Sequence, residues 1–560
     1  MFNNIPTNIY RVFAFAAIMS GMAGLMRAAD SRNAEKARLA TSFPRAHSGS
    51  SPWDPETASD TNFVIDRASG LDTGCVFRSS GPLRFSVAVD RYVGPTNADG
   101  TLKDAAGLIA AGVVSAKARL RMPAYDVDYS GVQDASVQPE RDAVKLNGQS
   151  LGFLTGDNDV WKLNEFSIPI EVLKFPSSPT PECFSSAASC PGPAPVMNDI
   201  QIDIDVLNTE ERWCTEIDWA TLSFSAMAPL MLIHGTNAGP ETWGRPKPLI
   251  GSFDCNAAPA AGSVAARLIE LKITFDDCIQ VDANGSPGNN AQQLAAILAR
   301  KAKKYGVENL HLITHSKGAT DSRLYLSSYY TAAQRINPST GRPSQFKVLS
   351  LYSIGTPSQG TILSKYSIVA EEIRSFTVAN SGVDVASDPL VLSALRDASL
   401  ANAASVVGLA PVDPARTAQT PESMAAFNLM VHQFPGIPYY SIAGNADANG
   451  NTTIEASEAT GFGVPASIAT TLYRALGRTK SLTVVEKSRG PWGIIKYNFA
   501  QAVLSNTIEP NDLVSTVSST HCTACGFASL ATFSRNHSSL KDTTTTDLIV
   551  ARIRQDYPVQ

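Results

Sequence analysis

The sequence predicts an α/β fold, a mostly parallel sheet flanked by helices, preceded by an all-β sandwich domain. Two patterns and the chain length carry this. Over residues 58–226 short segments place an apolar residue at every second position, as in Ile200-Gln201-Ile202-Asp203-Ile204-Asp205-Val206, the mark of half-buried strands. From residue 227 onward, apolar runs such as Leu230-Met231-Leu232-Ile233 and Leu310-His311-Leu312-Ile313 alternate with helical spacing, as a parallel sheet requires. At 560 residues the chain exceeds one comfortable core, so two domains are expected.

The N-terminus has the form of an export signal. Arg11 precedes an apolar stretch from Val12 to Met26, broken by Ser20, Gly21 and Gly24. That is about 15 residues, short of the roughly 20 that span a bilayer. Residues 1–29 are assigned to this segment, with cleavage near Gly21-Met22-Ala23 or Arg27-Ala28-Ala29; a retained membrane anchor is the alternative. A polar linker, 30–57, follows. The expectation is a secreted or periplasmic protein.

The β-domain is read as a jelly-roll-like sandwich from Phe85–Val89, Lys117–Arg121, Phe166–Ile170 and 200–206, separated by turns such as Asn147-Gly148. Asp199, Asp203, Asp205 and Asp218 are taken as a solvated sheet face rather than a calcium site. The Ser/Pro/Cys-rich stretch 177–195 reads as a surface loop. Such a module either contacts a polymer, carbohydrate or lipid surface or braces its neighbour. Eight cysteines, an even count in an exported chain, favour disulfides. Near-neighbour pairing gives Cys183–Cys190, Cys255–Cys278 and Cys522–Cys525, leaving Cys75–Cys214.

The chemistry concentrates in residues 227–560. Thr314-His315-Ser316-Lys317-Gly318 follows an apolar strand and precedes a helix-compatible segment, the layout of a tight strand-to-helix turn that exposes a serine Oγ. Upstream, a buried strand ends in His234-Gly235-Thr236. An acyl-transfer site needs two peptide N–H donors for the developing oxyanion, and Thr236 and Lys317 stand where they are required. Serine also needs a base and an acid to orient that base. Three histidines follow Ser316: His432 in an apolar, helical stretch, His521 beside Cys522, and His537 near the C-terminus. His537 is the candidate base and His521 the reserve. Asp512, on the loop Pro510-Asn511-Asp512, is the candidate acid, and Asp447 a weaker one.

These motifs, with Gly355-Thr356-Pro357-Ser358-Gln359-Gly360 after a further strand, resemble those of secreted bacterial triacylglycerol lipases and esterases of the α/β-hydrolase superfamily. The resemblance covers roughly 226–545. It implies Ser316 as nucleophile, His537 as base, Asp512 as its orienting acid, and an ester or lipid as substrate. Thr314 departs from the family's glycine. Lys317 is unusual after the nucleophile, with a side chain that either shapes the acyl pocket or points to solvent. A helical insertion, about 364–433 with apolar parts Leu390–Leu395, Ala401–Leu409 and Met424–Met430, stands where related lipases carry a lid.

No cofactor is expected for catalysis. Asp447, Asn449, Asn451, Thr453, Glu455 and Glu458 match the spacing of an EF-hand-type calcium loop, with Ile454 at position 8 and Thr452 where glycine is expected. A bound Ca2+ would be structural. A net charge of −5 lacks the basic excess of nucleic-acid binders, and no obligate protein partner is expected. The expected function is a serine carboxylic-ester hydrolase. A polyesterase, amidase or acyltransferase on the same fold is the first rival, and a non-catalytic surface-binding protein the second.

Overall fold

The computed structural model describes residues 51–53, 63–68, 71–129, 140–207, 214–247, 253–330, 346–362, 364, 414–463, 465–489 and 495–559. The segment 1–29, most of the linker, and the apolar segments Leu390–Leu395 and Ala401–Leu409 lie outside the described residues.

Residues 63–226 carry two antiparallel sheets. Their strands are β1 (Phe63–Ala68), β2 (Val76–Phe77), β3 (Leu83–Val89), β4 (Val114–Tyr125), β5 (Ala143–Leu146), β6 (Gln149–Phe153), β7 (Trp161–Pro169), β8 (Val196–Asp203), β9 (Cys214–Ile217) and β10 (Ala220–Ala226), with helix α1 (Ala105–Ala110) between β3 and β4. One sheet runs β1-β10-β4-β9-β2 with β7 on β4; the other runs β3-β8-β5-β6. Alternation explains their burial. In β8, Ile200 and Ile202 are buried with Val87, Leu120 and Phe224 of both sheets. Asp199 and Asp203 point away, to Ser86 and Lys145. Asp205 departs from the expected solvated face: it lies past the end of β8 and is buried. Asn147 and Gly148, both at positive φ, close the β5–β6 hairpin as Asn-Gly turns do.

The C-terminal part supplies β11 (Leu230–Ile233), α2 (Val264–Glu270), β12 (Phe275–Ile279), α3 (Pro287–Tyr305), β13 (Asn309–His315), α4 (Lys317–Ser328), β14 (Lys347–Ile354), α5 (Pro414–Ala418), α6 (Pro421–Met430), β15 (Tyr439–Gly444), α7 (Ala466–Arg478), β16 (Thr479–Arg489), β17 (Ile495–Leu504), α8 (Val517–His521), β18 (Phe527–Phe533) and α9 (Thr543–Asp556). Six strands form a parallel sheet in the order β12-β11-β13-β14-β15-β18. Strands β11, β13 and β15 are buried throughout, as expected when both faces are covered. This parallel sheet with flanking helices fits the α/β-hydrolase class. One face packs with the β-domain core through Ile313, Tyr352, Ile354 and Ile442. The other carries Leu294, Leu298, Ala302 and Tyr305 of α3. The chain runs from β11 outward to β12, then returns to place β13 on the other side of β11. Ligand sites of open α/β sheets form at such a reversal, at the carboxyl ends of the strands.

Four disulfides join Cys75–Cys214, Cys183–Cys190, Cys255–Cys278 and Cys522–Cys525, the pairs expected from spacing. The 177–195 stretch is more than a surface loop. Its Glu182 meets Lys301 of α3 at 2.6 Å, and the N–H of Thr180 donates to the Lys304 carbonyl at 2.9 Å. Of the expected insertion, α6 is fastened to the body. Arg323 of α4 donates to Asn428 Oδ1 (2.9 Å) and to the Val431 carbonyl (3.1 Å), and Asn428 Nδ2 donates to the Ser358 carbonyl (2.8 Å).

Candidate active site

Ser316 sits between the end of β13 and the start of α4, at φ +54° and ψ −131°. A non-glycine residue rarely occupies that region, and such strain collects at functional turns. The turn is tight enough to dictate its neighbours. A β-carbon on Gly318 would stand 2.5 Å from the His234 carbonyl oxygen, and one on Gly235 would stand 2.7 Å from Ser316 Cβ. Glycine at both places lets the end of β11 press against the elbow. Thr314, at the position where the resemblance implies glycine, donates its hydroxyl to the Tyr352 carbonyl at 2.9 Å.

The expected base and acid meet. His537 Nδ1 lies 2.9 Å from Asp512 Oδ2, with Asp512 fully buried and His537 8% exposed. The other carboxylate oxygen, Oδ1, accepts the N–H groups of Val514 (2.9 Å) and Ser515 (2.7 Å), which fixes its plane. The pair is placed beside Ser316 through Gly355. The Ser316 N–H donates to the Ile354 carbonyl at 3.0 Å. At the next residue, Gly355 (φ +62°), a β-carbon would be 3.0 Å from Asp512 Oδ2 and 3.1 Å from His537 Nδ1. Ser316 itself is 8% exposed. Of the oxyanion candidates, the Lys317 nitrogen lies 3.3 Å from the space of a Gly235 β-carbon, one residue before Thr236. The Thr236 hydroxyl is buried with no hydrogen-bond partner among the described residues.

Three features escape sequence reasoning. His315 is fully buried and neutral, its pKa driven well below the usual value by burial. Its Nε2 lies 3.1 Å from the His537 carbonyl oxygen, and the two rings stand 4.5 Å apart. His234 is likewise depressed by burial and stays neutral; Nδ1 donates to the Gly235 carbonyl (3.0 Å) while Nε2 faces the Val281 N–H. The Lys317 side chain does not reach solvent. It is 1% exposed and ion-paired with Asp321 at 2.7 Å. A lysine at the start of a helix reads as exposed, and only the cover from α3 and β11 reverses this. The other histidines are placed elsewhere. His521 is held by Ser441 and Thr532 between β15 and β18, and His432 is exposed rather than packed.

The predicted calcium residues share one loop. Asp447 Oδ1 accepts the N–H of Gly450 and Asn451, and its Oδ2 that of Thr452. Glu458 reaches back to the Ala448 N–H at 2.7 Å. Thr452 takes φ +62°, supplying the left-handed turn where the pattern has glycine. The backbone therefore has the curl that such a site needs. The side chains are engaged with one another, the amides of Asn449 and Asn451 donating to Glu455. Among the described residues no group of three or more His, Cys, Asp or Glu stands in metal-holding geometry. A cleft of about 600 Å³ lined by Tyr92, Leu108, Ile273 and Phe275 opens at the amino end of β12, the end of the sheet opposite Ser316.

No family model matches the chain, and no curated relative does. Solved structures with a similar outline include Bacillus licheniformis lipase BlEst2 in mature form (15% identity, 58% of this chain and 91% of that one, TM-score 0.35). Others are lipase 1 from Pelosinus fermentans (15%, 60% and 99%, TM-score 0.34) and the Staphylococcus hyicus lipase (15%, 59% and 93%, TM-score 0.33). Scores this low carry no argument about this chain, and the reading of the site rests on its own geometry.

Proposed function

We propose that this chain is a serine hydrolase that cleaves carboxylic esters through an acyl-enzyme. The observation that carries the reading is the Asp512–His537 pair, 2.9 Å apart and packed on Gly355, together with a serine held at φ +54° whose N–H donates to the carbonyl of the preceding residue, Ile354. In the first half-reaction Ser316 Oγ attacks the ester carbonyl carbon as His537 Nε2 takes its proton. Asp512, on Nδ1, holds the imidazole in the tautomer that leaves Nε2 free to accept. The carbonyl oxygen becomes an oxyanion received by the N–H groups of Thr236 and Lys317. The tetrahedral intermediate collapses, the C–O bond to the alcohol breaks, and His537 returns the proton to the departing alkoxide. Water then enters by the same route in reverse and releases the acid.

Export from the cell, a β-sandwich that braces the catalytic part, and a cap over the site between 364 and 433 belong to the same reading. Their supports are the apolar N-terminal segment, the core shared by the two halves, and the resemblance of the insertion to a lipase lid. Calcium, where bound, is held by Asp447, Asn449, Asn451, the Thr453 carbonyl, Glu455 and Glu458, and stiffens the loop after β15 without entering the reaction.

A chain-length series of nitrophenyl esters with wild type and Ser316→Ala tests the reading. Turnover that depends on Ser316 is expected, and its chain-length optimum separates lipase from short-chain esterase. Equal turnover in both proteins would rule the mechanism out.

A further inference from the structure

We propose that the Lys317 side chain is a positioning residue for the tetrahedral intermediate: its buried ammonium, held by Asp321, adds fixed positive potential at the helix N-terminus that receives the oxyanion. The inference rests on the ester-hydrolase reading and deepens it.

The arrangement is costly for the fold. A cation at the first position of a helix opposes the macrodipole, whose positive end lies there. Lys317 and Asp321 are each 1% exposed, so both charges are stripped of water. Buried pairs of this kind are often no more stabilising than apolar residues of similar volume. The network is also incompletely satisfied. Asn290 Nδ2 donates to Asp321 Oδ2 (2.8 Å) and to the Asp282 carbonyl (2.9 Å), yet Asp321 Oδ1 and Asn290 Oδ1 are buried without a partner among the described residues. Stability alone gives no reason for such a cluster.

Its location gives one. The residue whose peptide N–H faces the oxyanion also carries the ammonium, and Asp321 stands one turn further along α4 (i, i+4). The pair thus joins the first two turns of α4, and Asn290 ties it to α3. Its field reaches the end of β11, where the charge of Lys317 adds to the burial that keeps His234 neutral. An ester carbonyl is neutral and gains little from this potential. The tetrahedral oxyanion carries a full negative charge in a water-poor site, where fixed charges act strongly. The benefit therefore falls on the transition state rather than on substrate binding. The role is electrostatic: no bond to Lys317 forms or breaks.

The test compares wild type with Lys317→Met/Asp321→Asn, Asp321→Asn and Ser316→Ala. Four quantities are read: kcat, KM, thermal midpoint, and affinity for an alkylboronic acid, which forms a tetrahedral anion on a nucleophilic serine. The double variant is expected to fold and keep its KM, to lose about 10- to 100-fold in kcat, and to bind the boronic acid weaker by the same factor. Asp321→Asn, which removes the carboxylate that holds the ammonium, is expected to weaken boronic acid binding in the same direction. A folded double variant with wild-type kcat and boronic acid affinity would overturn the proposal. Should the double variant not fold, a folded Asp321→Asn protein with wild-type kcat and boronic acid affinity would overturn it. Wild type without Ser316-dependent turnover would instead remove the hydrolase reading on which the inference stands.

Discussion

Asp512 and His537 are joined twice: the imidazole Nδ1 meets the carboxylate Oδ2 at 2.9 Å, and the peptide N–H of His537 donates to the Asp512 carbonyl at 2.8 Å. The second bond ties the two loops together through the backbone, so the ring's orientation does not depend on the side-chain contact alone. Asp512→Asn should therefore leave the fold intact and mis-set the imidazole tautomer. A loss of about 10³- to 10⁴-fold in kcat with little change in KM is expected. A steady-state comparison on one ester checks it, and a loss under tenfold would speak against Asp512 as the orienting acid.

Gly355 separates the acid–base pair from the end of β14. Its φ of +62° disfavours any β-carbon, and that carbon would crowd Asp512 Oδ2 and His537 Nδ1 at about 3 Å. Gly355→Ala is predicted to destabilise the protein by about 1 to 2 kcal/mol and to lower kcat more than that loss of stability accounts for. Chemical denaturation beside turnover would show both effects; full activity would mean the pair is free to shift.

The Thr236 hydroxyl is buried without a hydrogen-bond partner among the described residues, and in the proposed reaction it donates to the oxyanion beside the two peptide groups. Thr236→Val should reduce kcat roughly tenfold or more, while Thr236→Ser restores most of it. If valine and serine behave alike, the hydroxyl has no such role.

In the β-domain, Glu140 and Asp142 are fully buried, and the Thr215 hydroxyl lies within hydrogen-bond distance of both carboxyl groups. Burial raises both pKa values above the usual carboxylate range, and the neighbouring Asp142 raises Glu140 further. The folded state thus keeps protons that the unfolded chain releases. This contribution to stability is fully present below the ordinary carboxyl pKa and is lost as pH rises through the raised values. Thermal midpoints should fall from mildly acidic to alkaline pH, and Glu140→Gln should flatten the slope. Stability that climbs over this range would refute the assignment.

The strands around the site were legible because burial on both faces leaves unbroken apolar runs: Leu230–Ile233 and the Leu310–Ile313 stretch became β11 and part of β13. Chain order alone paired Asp512 with His537. What tertiary cover decides was not legible. Lys317 carries the signature of an exposed helix start and is buried by α3 and β11. His315 looks like any residue beside a nucleophile until the C-terminal loop lays His537 across its ring. Asp205 follows the polar face of β8 by alternation, but lies beyond the strand's last residue, where alternation no longer applies.

The most direct measurement of the central claim is the site of covalent labelling by a fluorophosphonate, read by intact mass and peptide mapping. One phosphonyl group per chain on Ser316 is predicted, absent in Ser316→Ala and strongly slowed in His537→Ala. Labelling at another residue, or at an unchanged rate without His537, would contradict the account.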